Sequence, residues 1–179
     1  MLLNRIIGVF KLDSRTFEEI ENDQSATGQA ALVVLIVALL GAIGSGILTA
    51  STGGGSFITS FLGGLIAPFI GWFVWSAITY FVGTSFFGGR ADMGEMLRVI
   101  GFAYAPQVLG IIPCIGTLVG LIWTLVALFI AIRQGLDLDN TKTALTIVIG
   151  LIAYLVVFFI IGLIFGGGMA AMGALSGPS

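Results

Sequence analysis

Apolar runs with no charge in them alternate with short polar stretches along the chain. Ala30–Ala50 is the first such run, long enough at 1.5 Å per residue to cross a hydrocarbon core of about 30 Å. It ends in the polar, Gly-rich turn Ser51–Ser56. The second run, Phe57–Phe87, has 31 residues and is too long for one straight span. Pro68 is expected to bend it or to start its spanning part, leaving Phe57–Ala67 oblique to the membrane. A third helix is predicted over Glu95–Ile112, at the lower length limit for a span. After the tight turn at Pro113–Gly116 come a fourth helix over Gly116–Ile132 and a fifth over Lys142–Phe165. The expected fold class is therefore all-α: a polytopic membrane protein with five transmembrane helices.

Before the first span the pattern changes. Leu2, Leu3, Ile6, Ile7 and Phe10 recur at helical spacing, with Asn4, Arg5 and Lys11 elsewhere. That describes a short amphipathic segment in the membrane interface or a frayed apolar terminus. Residues 11–29 are rich in charge, with Asp13 or Ser14 able to cap a short helix and Thr16 and Glu19 at capping-box spacing. Asp92 and Glu95 repeat that spacing before the third helix, and Asp139, Asn140 and Thr141 suit the start of the fifth. The organisation read from this is a cytosolic segment over 1–29, a membrane domain over 30–166 and a Gly-rich extracytosolic tail over 167–179.

Charge sets the direction. The 7 basic residues are Arg5, Lys11, Arg15, Arg90, Arg98, Arg133 and Lys142. With five helices counted, all of them fall on one side, and the turn at 51–56, the Pro113 turn and the tail carry none. Lysine and arginine mark the cytosolic side, so the N-terminus is expected inside and the C-terminus outside. A wrong helix count would scatter them.

Composition narrows the chemistry. Hydrophobic residues make up 58% of the chain and charged ones 9%, with mean hydropathy +1.13, too little charge to cover a water-facing surface. A net charge of −2 offers no basic surface for nucleic acid. There is no histidine and a single cysteine, Cys114, so an internal disulfide is excluded and no metal site is expected. No nucleophile–base pair, paired intramembrane carboxylate or phosphate loop occurs, so neither an enzyme nor a cofactor is expected.

The remaining candidates are polar or basic residues near the spans. Arg90, Arg98 and Arg133 suit interfacial anchors or contacts to anionic lipid or a partner, with Asp137 and Asp139 near Arg133. Thr79, Tyr80, Tyr104 and Gln107 are the candidate intramembrane polar contacts; Gln107, directly after Pro106, serves as interhelical glue or as a group facing a solute. Trp72, Trp75, Trp123 and Tyr80 suit an interfacial belt, Trp75 being the one to sit deeper. Small pairs at Ala67/Gly71, Gly116/Gly120 and Gly162/Gly166 allow close helix approach, within the chain or against a second copy.

The stretch Gly71–Pro106 (GWFVWSAITYFVGTSFFGGRADMGEMLRVIGFAYAP) resembles the prokaryotic branch of the Yip-one domain family. These are five-helix membrane proteins named for eukaryotic members that interact with Ypt/Rab GTPases. The matching elements are Thr-Tyr-x-x-Gly at Thr79–Gly83, an acidic Gly-Gly loop, the third-helix motif over Leu97–Pro106, and a Pro turn into a Trp-bearing helix. Arg15–Gln24 and Arg133–Leu145 are similar to flanking parts of the family. The aspartate-leucine-tyrosine-glycine-proline motif of the eukaryotic N-terminal regions is absent, so GTPase binding does not carry over. The resemblance implies a multi-pass protein of a prokaryotic cytoplasmic membrane. A membrane-organising or scaffold role is expected, with lipids and a homo-oligomer or larger membrane complex as partners; the alternative is a small permease or channel for an uncharged solute.

Overall fold

The computed structural model describes residues 2–53, 56–112 and 115–175, with side chains through residue 160 and at 163. The Pro113–Cys114 turn and the packing of Gly162 and Gly166 lie outside the described residues. Among the described residues all regular structure is helical: α1 (Leu2–Phe10), α2 (Ser14–Asn22), α3 (Ala26–Thr52), α4 (Phe57–Phe87), α5 (Met93–Ala103), a 3-10 helix (Ala105–Ile111), α6 (Ile115–Gly135) and α7 (Asn140–Leu175). Among the described residues four helices are long and apolar enough to cross a membrane: α3, α4, α6 and the Asn140–Ile160 part of α7.

The starts follow local chemistry. Asp92 accepts from the Glu95 backbone N–H at 2.7 Å while the Glu95 carboxylate accepts from the Asp92 backbone N–H at 2.6 Å, closing the expected capping box. Asp139 accepts from the Lys142 backbone N–H and opens α7. Asp13 caps α2, and the Thr16/Glu19 spacing goes unused as a box because the Glu19 carboxylate accepts from Arg5 instead.

Three expectations are corrected. The helix expected over Glu95–Ile112 is not continuous: α5 stops at Ala103, and the chain continues as a 3-10 turn with Pro106 near its start. Proline has no N–H for the carbonyl one turn back, so one bond of the α-helical ladder is lost at Pro106, and there the chain tightens into 3-10 geometry. The region Phe57–Ala67 is not a separate segment, since α4 runs unbroken through Pro68 for 31 residues. Residues 167–175 are not a tail, because α7 continues to Leu175; glycine lowers helix propensity but does not forbid it.

Helix α5 is the hub. Met96, Arg98, Val99, Ile100, Gly101, Phe102 and Ala103 are all buried, as a helix wrapped on every side must be. Its neighbours are α2, α3, α4 and α6. The face α3 turns inward is built of small residues, with Ala26, Ala30, Ala38, Ala42 and Gly46 buried along it. Such a stripe lets backbones approach closely: a Cβ at Gly64 would stand 2.9 Å from the Ala42 Cα, and one at Gly101 2.8 Å from the Ala30 Cβ. Gly116 and Gly120 serve the same end against the 3-10 helix, so this pair is spent inside the chain.

The charged connections share one face of the bundle. The Arg90 backbone N–H donates to the Leu136 carbonyl at 2.9 Å, joining the α4–α5 and α6–α7 connections. Arg98 donates to the Glu21 carbonyl, and Arg5 donates to Gln29 at the start of α3.

Candidate functional site

Helix α7 packs mainly on α4 and only lightly on α6. Small residues permit the α4 contact: a Cβ at Gly150 would meet Ile78, Thr79 and Trp75 at ordinary distances, and one at Gly71 would stand 3.4 Å from the Tyr154 hydroxyl. The light contact with α6 leaves a cavity of about 240 Å³. Helix α4 contributes Trp75 to it and the end of α5 contributes Tyr104. Leu125 and Leu128 line it from α6, and Ile147, Leu151 and Tyr154 from α7. Leu125 and Leu151 are exposed on the outer surface, so the mouth opens sideways, toward what would be lipid.

The lining is aromatic and aliphatic. Trp75 and Tyr154 meet edge to face, with centroids 5.7 Å apart and planes at 80°, the geometry ring quadrupoles favour. Tyr154 also packs on Phe158, with centroids 4.4 Å apart and planes tilted by 33°. Among the described residues no charged side chain lines the cavity. Its polar groups are the hydroxyls of Tyr104 and Tyr154 and the indole of Trp75. Neither hydroxyl has a hydrogen-bond partner among the described residues. Nearby on the same helices, the Trp75 Nε1, Ser76, Thr124 and Thr146 donors are buried without partners. Among the described residues no three His, Cys, Asp or Glu groups come together in a metal-binding cluster.

The residues singled out from sequence divide. Tyr104 lines the cavity. Thr79 stands beside it, fully buried, and its hydroxyl donates back to the Trp75 and Ser76 carbonyls. Tyr80 is half-buried against the core. Gln107 is exposed and lies apart, on a shallow cavity of about 190 Å³ with Thr117 and Gly120; its amide makes no interhelical hydrogen bond among the described residues. Arg90 is exposed and Arg133 half-buried. Arg98 is 5% exposed and spent internally, its Nε and Nη2 donating to the Glu21 carbonyl at 3.0 and 2.6 Å. Trp72 is not a belt residue; it is buried and donates to the Leu97 carbonyl at 3.0 Å.

Sequence reasoning did not find the cavity. Leu125, Leu128, Ile147 and Leu151 look like any apolar residues in a span. The available signal was the placing of Gly71 and Gly150, which seat Tyr154 and Trp75 between α4 and α7.

The charged face holds a second cluster. Arg5, 5% exposed, bridges Glu19 at 3.1 Å and Asp23 at 2.6 Å, and so clasps α1 to α2 and the start of α3. Hydrogen bonds from Ser25 and Arg5 hold the Asp23 carboxyl down at about 2. Partial burial, with Asp137, Glu95 and Glu18 close by, pushes the Glu21 carboxyl up to about 7 despite Arg98.

Compared with known families, residues 7–167 match the family model described as the Yip1 domain. No curated protein and no solved structure matches the chain.

Proposed function

The chain belongs to the Yip1 domain family, and from that premise we propose that it is a membrane-organising protein working through lateral contacts with lipid and neighbouring helices. The observation that carries this reading is the cavity between α4, α6 and α7, uncharged and open to the side. A cleft of that form suits a lipid chain, which reaches it along the plane of the bilayer without crossing water. In this reading the broken element α5 plus 3-10 helix is a fifth crossing, giving five in all, N-terminus inside and C-terminus outside, in a prokaryotic cytoplasmic membrane. The gathering of charged connections on one face supports that direction. The permease alternative has only Tyr104 and the exposed Gln107 to draw on at the helix break, since Gly101, Phe102, Ala103, Ala105 and Pro106 are buried there.

The test is electron spin resonance of the full chain reconstituted with a phospholipid nitroxide-labelled deep in one acyl chain. The expected result is a motionally restricted lipid component that shrinks when Leu125→Trp fills the cleft. An unchanged component in a folded variant would remove the cleft from the function. Purification in mild detergent tests the wider role, with a defined oligomer or a stable partner as the expected outcome.

A further inference from the structure

The three polar aromatic residues of the cleft share one depth. Trp75 is 12 residues from the charged-face end of α4 at Phe87, Tyr104 is 12 from the Asp92 cap, and Tyr154 is 14 from the start of α7 at Asn140. At 1.5 Å per residue these are about 18, 18 and 21 Å along the helices from their charged-face ends, and with or without helix tilt that falls in the middle part of a core about 30 Å thick. A phospholipid chain passes that level as bare hydrocarbon, because its ester groups stay at the headgroup boundary. Bare hydrocarbon would leave the Tyr104 and Tyr154 hydroxyls facing an apolar ligand with nothing to donate to, and an unmet donor in such surroundings is costly. A charged ligand is excluded in turn, since no opposite charge lines the cleft.

We propose that the cleft binds a neutral lipid whose carbonyl group lies deep in the bilayer, held by hydrogen bonds from the hydroxyls of Tyr104 and Tyr154. One carbonyl oxygen has two lone pairs and can accept from both phenols. The apolar body of the ligand lies against Leu125, Leu128 and Leu151. A cavity of about 240 Å³ is worth about eight water volumes, so it takes the carbonyl and the adjoining chain, and the rest of the molecule stays in the bilayer. This rests on the lateral-cleft reading above and adds the chemistry of what the cleft selects.

The probe is heptadecan-9-one labelled with ¹³C at the carbonyl, with n-heptadecane as its matched hydrocarbon. Both are added to the full chain in phosphatidylcholine nanodiscs and followed by isotope-edited infrared spectroscopy. The expected result is a second carbonyl band at lower frequency, absent from empty nanodiscs and saturating near one ketone per chain. An equal amount of heptadecane should displace little of it. The Tyr104→Phe/Tyr154→Phe pair should weaken ketone binding about tenfold, as the loss of two modest hydrogen bonds predicts, and each single variant by less. Leu125→Trp should abolish the band. If the ketone gives no shifted band yet competes equally with heptadecane for displacement of the spin-labelled chain, the carbonyl inference is overturned and the lateral chain site stands. If neither compound displaces that chain, the cleft reading falls and the inference with it.

Discussion

Gly101 shows how little room single positions have. A methyl group there would meet the Ala30 Cβ at 2.8 Å and the Trp72 Nε1 at 3.1 Å, pushing the indole off the Leu97 carbonyl. Gly101→Ala is expected to destabilise by about 1–3 kcal/mol, the usual range for overpacking a tight core, and a lowered thermal unfolding midpoint in detergent with altered tryptophan emission would register it. Arg98→Lys should loosen α2 from α5, because an ammonium cannot present the two guanidinium donors that the Glu21 carbonyl accepts. Faster hydrogen exchange confined to α2 is the outcome that checks this. Some residue roles were legible from the sequence and others were not, and the division follows sequence distance. The Asp92/Glu95 box closes over three residues, so spacing alone reveals it. Arg98 reaches a carbonyl 77 residues away, and nothing local separates it from Arg90, which remains exposed.

Among the elements, α1 and α2 form a clasp rather than a loose extension. Leu3 and Ile7 are exposed on α1, while Arg5 turns inward to Glu19, Asp23 and Gln29. The amphipathic pattern was readable, but not its inward arginine, because the partner acids belong to the next helices. Glu21 makes the clasp pH-dependent. Its carboxyl is raised to about 7 from 4.5, so the folded state holds the proton more tightly than the unfolded chain does. The stabilisation is fully present below about pH 4.5 and is lost as pH rises through about 7. Protection of α2 from proteolysis should therefore fall between pH 5 and 8, and Glu21→Gln should flatten that profile. Asp23 acts oppositely, its lowered value giving stability that is lost only as pH falls from about 4 toward 2. Hydropathy alone makes one helix of Glu95–Ile112, because a window of apolar residues records hydropathy and not the ladder. Pro106 was visible in it, yet a proline inside a helix is tolerated in α4 at Pro68, and tertiary packing decides between the two outcomes.

For the whole molecule, the division of basic residues makes a direct prediction. In a Cys114→Ser background, Ser56→Cys should react with a membrane-impermeant maleimide in intact cells, whereas Gln24→Cys should react only after permeabilisation. The reverse pattern would invert the proposed direction. Helix positions and the charged face were legible because membranes impose them on sequence through length and charge. The cleft was not, since it arises from α7 leaning on α4 and away from α6, a choice made by Gly71, Gly150 and their aromatic neighbours together. The unbroken α4 has a consequence for where such a protein can reside. Its 31 uncharged residues make about 46 Å of helix against a core of about 30 Å, so it has to tilt steeply or draw thicker bilayer around itself. Helix α5, with 11 residues, sits inside the bundle and meets no such demand. Helices α3 and α7, with 27 and 36 residues, carry a similar excess of length, so a bilayer around the bundle would meet long apolar helices at α3, α4 and α7, and hydrophobic mismatch there would favour its thicker regions.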